Sequence, residues 1–140
     1  MIIELPDVNV LVAASAPDHI HHAIAYSWLK NAPCYSTTPI TESGLVRCLM
    51  NPRVVSQAVS YDIALKILDR LKSNRRAVYW ADSLDIAQAP IRFTGTMGYR
   101  QVTDLRLINL ADQHYGRLVT FDAKIAAALS DEDRHLIRVL

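Results

Sequence analysis

Very little in this sequence of 140 residues interrupts or cross-links the chain. Four glycines and six prolines leave few obligatory loops, so regular helices and strands must account for most of its length. Two cysteines, Cys34 and Cys48, cannot make a disulfide framework and lack the His/Cys spacing of a zinc cluster. They read as buried thiols of a reducing compartment. No apolar run approaches the ~20 residues of a membrane span. Residues 1–7 lack the basic region that begins a signal peptide, so a cytoplasmic location with no membrane partner is expected. An excess of charge is missing too: 15 Lys and Arg stand against 14 Asp and Glu, for a net charge of +1. That balance disfavours a dedicated, metal-free duplex binder, whose domain is usually basic. There is no Gly-x-Ser-x-Gly elbow and no Walker-type glycine loop, which argues against serine-nucleophile chemistry and weakens a phosphatase or nucleotide-hydrolase reading.

What is present is apolar and periodic. With 51% hydrophobic and 21% charged residues, the chain can bury a sizeable core, and without a linker it reads as one domain over residues 1–140. Short apolar runs alternate with helical patterns, the α/β signal. Strands are expected at residues 2–6, 34–37, 77–80, 117–121 and 137–140. Helices are expected at 8–15, at 18–30 behind an Asp18 cap, from Thr38-Pro39 to Asn51-Pro52, and from Ser60 to Lys72. Others follow at 82–89, from a Thr103 cap to Gly116, and from Asp122 to Leu129. In the second of these, Ile20, Ala23, Ile24 and Leu29 fall at helical spacing.

The strands are short and non-alternating, as in a parallel sheet covered on both faces. Ligands of such sheets bind beyond the carboxyl ends of the strands. Four acids fall at that edge. Asp7 follows the first strand and Asp122 the fourth, while Glu42 and Asp104 lie in first turns of helices. Each also suits a helix N-terminus, where the macrodipole favours an anion. Gathered together, carboxylates repel one another unless protons or cations intervene. An all-carboxylate set suits Mg²⁺ or Mn²⁺ rather than zinc. Such an ion lowers the pKa of its water and stabilises charge on a phosphodiester.

At these residues the sequence resembles the PIN-domain ribonucleases, and among them the VapC-type toxins of bacterial toxin–antitoxin pairs. The matching pieces are Pro6-Asp7-Val8-Asn9-Val10-Leu11, Thr38-Pro39-Ile40-Thr41-Glu42, Val102-Thr103-Asp104-Leu105-Arg106-Leu107 and Leu118-Val119-Thr120-Phe121-Asp122. The turn Asn51-Pro52-Arg53-Val54 is similar to one subgroup. The resemblance spans essentially the whole chain in order. It implies a three-layer α/β/α sandwich with a central, mainly parallel sheet. It implies Mg²⁺- or Mn²⁺-dependent endoribonuclease activity, with Asp7, Glu42, Asp104 and Asp122 holding metal, Asp122 in second rank. Thr120 would support the site, and Asn9 would orient Asp7 or its water. The resemblance also implies an RNA substrate, a homodimer and a VapB-like antitoxin whose C-terminal tail enters the site.

Residues 77–101 match no motif and would border the site, so substrate choice is expected there. Arg92, Arg100 and Arg106 flank that stretch as candidates for guiding RNA. Tyr79, Trp80 and Tyr99 suit either base stacking or packing. Tyr26, Trp28 and Tyr35 read as core. His19, His21 and His22 read as helix surface rather than a metal set, and the basic run Lys66, Arg70, Lys72, Arg75 and Arg76 as a solvated helix face or as phosphate contacts. A second class of function is a catalytically weak PIN-like module that acts through protein contacts. If four acids belong to a metal site, ten remain against 15 basic residues. The surround then carries about +5, a balance that attracts RNA.

Overall fold

The computed structural model describes residues 1–140. Its centre is β1 (Glu4–Pro6), flanked by β2 (Tyr35–Thr37) and β4 (Arg117–Thr120), with β3 (Ala77–Tyr79) and β5 (Ile137–Val139) at the edges. The order is β3-β2-β1-β4-β5 and every pairing is parallel. β1 and β2 are buried along their whole length, which is why their sequences show no alternation.

Six helices cover the sheet: α1 (Val8–Ser15), α2 (His22–Asn31), α3 (Pro39–Leu49), α4 (Tyr61–Lys72), α5 (Val102–Gln113) and α6 (Ala123–Ala128). Right-handed crossovers place the helices that link β1, β2 and β3 on one face. Those linking β3, β4 and β5 lie on the other. Leu5 and Leu118, opposite each other in register, point into a core with Leu107, Ile108, Leu110, Ile125 and Leu129. Tyr35 and Val119 point the other way, against Val10, Ala13, Ala25 and Trp28. A further core joins α1 to α3 and α4 through Leu11, Leu45, Leu49 and Leu68. The expected α/β/α layering is present.

The local signals account for several helix starts. The Asp7 carboxylate accepts the Val10 N–H at 3.0 Å and caps α1. The Thr41 hydroxyl accepts the Thr38 N–H at 3.1 Å, with Pro39 at the first helical position of α3. The Ser60 hydroxyl accepts the Ile63 N–H at 3.3 Å at the start of α4.

Other expectations are corrected. Asp18 does not cap α2: its carboxylate takes the Ser56 hydroxyl, and the helix begins only at His22. The buried face of α2 is Ala25 and Trp28, while Ile20 is 88% exposed and Ile24 half-exposed. Tyr26 is likewise exposed rather than core. Residues 82–89 make one short 3-10 turn at Ile86–Gln88 instead of a helix. Thr103 lies inside α5, which is preceded by a 3-10 turn at Tyr99–Gln101. The left-handed residue after α5 is Tyr115, with φ of 55°, not Gly116. Gly116 is required for another reason, because a Cβ there would strike the Ile3 carbonyl oxygen and the Trp80 ring. Cys34 is buried, but Cys48 is only half-buried.

Candidate active site

The strand order reverses direction between β1 and β4, and a crevice opens where neighbouring connections leave on opposite faces. Asp7 and Asp122 flank that crevice. The Asp7 N–H donates to the Val119 carbonyl at 2.9 Å, which fixes the end of β1 beside β4. Thr120 then joins the two acids. Its hydroxyl donates to Asp7 Oδ2 at 2.7 Å and accepts the Asp122 N–H at 3.1 Å. Asp122 caps α6 by accepting the Lys124 N–H at 2.9 Å, and its side chain is exposed. Asn9 reaches Asp7 through its backbone N–H; its side chain is exposed and makes no hydrogen bond.

Charge at this crevice is uncompensated. Burial raises the Asp7 carboxyl above the ordinary carboxylate value and the Asp122 charge adds to this. Bonds from Thr120 and from the Val10 and Asn9 N–H groups only partly offset the rise. Asp104, in the first turn of α5, is pushed from 3.8 to about 6, first by burial and then by Asp7 and Asp122. Thus the Asp122 charge reaches both Asp7 and Asp104, and the Asp7 charge reaches Asp104. No Lys or Arg pairs with any of these three. Their donors are all carboxylate oxygens, the set a hard divalent cation prefers, and such a cation would relieve the repulsion. As they stand, no three His, Cys, Asp or Glu side chains are close enough to share one ion.

Glu42 has different company. The Thr37 hydroxyl donates to Oε2 at 2.7 Å, and Lys72 Nζ stands 3.1 Å from Oε1 and 2.9 Å from Oε2. Its charge is matched within the protein, at the β2 side of the edge. Glu42 is also absent from the charges that raise Asp104.

Residues 77–101 are pinned rather than loose. Arg106 makes a two-pronged ion pair with Asp82, at 2.9 and 2.8 Å, and donates to the Leu84 carbonyl at 2.9 Å. Its guanidinium therefore anchors this segment. Buried Asn109 exchanges hydrogen bonds with both the N–H and the carbonyl of Ile91. Arg92 and Arg100 are exposed, and Arg100 lies over the Tyr99 ring. Trp80 is buried and stacks on His114 at 4.4 Å, so it is packing, whereas Tyr79 and Tyr99 are exposed. The His21 ring lies tilted against Phe121, with centroids 4.8 Å apart, and His22 bonds the Ala13 carbonyl, so neither completes a metal set. Sequence reasoning passed over Thr37, and it left Lys72 undecided between a solvated face and a phosphate contact. The available signal was position: Thr37 ends β2, and Lys72 ends a helix that returns to the same edge.

A parallel α/β fold with facing aspartates at its switch point defines a candidate acidic active site of the PIN type. No family model matches the chain. It is 40% identical over 130 residues to Ribonuclease VapC39 of Mycobacterium tuberculosis, covering 90% of this chain and 93% of the relative. It is 39% identical over 123 residues to Ribonuclease VapC38 of the same organism, covering 86% of each. The chain belongs to the VapC ribonuclease family. A chain from the crystal structure of VapBC2 from Rickettsia felis bound to a promoter DNA fragment has a similar fold, with a TM-score of 0.63. It is 15% identical and the match covers 99% of both chains. No helix of the chain is long and apolar enough to cross a membrane.

Proposed function

We propose that this chain is a single-domain, divalent-metal-dependent endoribonuclease, the toxin of a toxin–antitoxin pair, acting in the cytoplasm as a homodimer. The observation that carries the reading is the Asp7–Thr120–Asp122 junction facing Asp104, in a chain matching VapC ribonucleases over most of its length. Asp7, Asp104 and Asp122 would hold Mg²⁺ or Mn²⁺, and Glu42 would complete the set. When bound, the cation supplies Lewis acidity toward water and toward a phosphodiester oxygen.

The chain's own residues do the rest. Thr120 fixes the Asp7 carboxylate in one orientation and ties the start of α6 to it. The Val10 and Asn9 N–H groups hold the same carboxylate from the helix side. Residues 77–101, anchored by Arg106 and Asn109, precede Asp104 in the chain, and their exposed Arg92 and Arg100 would guide RNA. A VapB-like antitoxin is the partner, by analogy with the named VapBC complex.

Two observations favour a second reading, a catalytically weak interaction module. The acids are not drawn to one point, and Glu42 is already paired with Lys72. One experiment separates the two. Labelled RNA is incubated with Mn²⁺, or with EDTA, and wild type is compared with Asp7→Asn and Asp104→Asn. Cleavage that needs Mn²⁺ and falls about 10³-fold in the variants is expected, a loss of ~4 kcal/mol of transition-state stabilisation. Equal cleavage by all three proteins, or no Mn²⁺ binding at millimolar concentration, rejects the enzyme reading.

A further inference from the structure

RNA approaching four carboxylates meets repulsion, and a nuclease site of this kind needs fixed positive charge at its mouth. Among Asp7, Glu42, Asp104 and Asp122, only Glu42 has a protein cation against it, and that cation is Lys72. Four elements bring this about. Thr37 and Tyr79 stand opposite each other where β2 and β3 end. Thr37 bonds Glu42 from α3, and α4 terminates in Lys72 above them. The Lys72 ammonium lies 4.7 Å from the Tyr79 ring centroid, and Tyr79 is 52% exposed. An ammonium beside a half-exposed aromatic ring matches the two parts of a nucleotide, phosphate and base.

We propose that Lys72 and Tyr79 form the RNA-binding edge of this site: Lys72 contacts a backbone phosphate and Tyr79 stacks the adjoining base, on the side away from β4. Resting on the ribonuclease reading, the assignment names where the strand lies. It also gives the Lys72–Glu42 pair a purpose, since Glu42 holds the ammonium at the edge of the acidic crevice.

The test is anisotropy of a fluorescein-labelled single-stranded RNA 12-mer in EDTA, over a KCl series, so that binding is read without cleavage. Lys72→Gln should weaken binding about 3- to 10-fold and reduce the slope of log affinity against log salt by ~0.7, one phosphate contact to single-stranded nucleic acid. Lys72→Arg should stay within about 2-fold of wild type, since it keeps the charge. Tyr79→Ala should lose roughly 10-fold. Glu42→Gln should bind more tightly, and in that background Lys72→Gln should cost more than it does alone. Circular dichroism checks that each variant is folded. Unchanged affinity and salt slope in Lys72→Gln, in both backgrounds, overturn the proposal. RNA held through Lys72 but not cleaved with Mn²⁺ keeps the proposal and rejects the nuclease reading instead.

Discussion

Glu4 and Asp7 stand three residues apart, at the start of β1 and just past its end. Both carboxylates are buried, and their surroundings push them in opposite directions. Around Glu4, burial raises the carboxyl, but the Trp28 indole N–H at 2.9 Å, Arg117 at 2.8 Å and Arg138 at 2.9 Å outweigh it. The net effect holds Glu4 below its ordinary value of 4.5. Around Asp7, burial is met only by a hydroxyl and two backbone N–H groups, with Asp122 opposing them, and the carboxyl rises. A buried charge that the protein completes itself is structure; one left open next to other open charges waits for a counter-charge from outside.

Crossing the two substitutions breaks the comparison most directly. Asp7→Asn should lower Mn²⁺-dependent cleavage about 10³-fold yet leave unfolding free energy in EDTA within about 1 kcal/mol, since Asn caps a helix as well as Asp. Glu4→Gln should lower stability by about 2–3 kcal/mol, measured by urea unfolding, and leave the metal affinity unchanged. The loss sits below the usual range for breaking a buried ion pair because Arg117 and Arg138 are partly exposed and can return to water. Equal destabilisation by both variants would show that Asp7 is merely another structural acid.

The same contrast sets the pH dependence. Asp104 in the folded protein titrates at about 6, above its ordinary 3.8. A raised carboxyl binds its proton more tightly when folded, so this group's contribution to stability grows as pH falls through about 6 and is complete near 3.8. Glu4 works in reverse: its contribution is full above 4.5 and is lost as pH falls through its lowered folded value. In EDTA, thermal unfolding of wild type should therefore gain between pH 7 and pH 5 relative to Asp104→Asn. Saturating Mn²⁺ should erase that gain by neutralising the cluster. A wild-type profile parallel to that of Asp104→Asn would remove Asp104 from the cluster.

Much of the open end was legible in the sequence, because it depends on chain order. Asp7 and Asp122 each follow a short apolar strand, and the reversal of strand order brings those two ends together. Glu42 and Asp104 were legible as first-turn acids, but their partners were not. Lys72 lies 30 residues from Glu42, and only the return of α4 to the sheet edge makes them neighbours. Arg106 lies in the same matched segment as Asp104, yet its partner Asp82 comes from residues that carry no motif. The closed end was invisible for the same reason: Glu4, Trp28, Arg117 and Arg138 are spread over nearly the whole chain. Local periodicity also misplaced α2. Ile20 and Ile24 have helical spacing, but the face that meets the sheet is set by Trp28 reaching Glu4.

The finest division lies within the closed end. Arg117 comes from β4, the strand beside β1, and its side chain is 32% exposed. Arg138 comes from edge strand β5 and is 43% exposed. Water screens the Arg138 pair more, and the Trp28 N–H still satisfies the same oxygen, Oε1, when Arg138 is removed. Arg138→Gln should thus cost about 0.5–1 kcal/mol in urea unfolding, and Arg117→Gln more, since no other group bonds Oε2 within 3.0 Å. The reverse order would mean that Arg138, from the edge, carries the charge balance of Glu4. The contrast with Asp7 would then rest on a single exposed arginine rather than on a closed network.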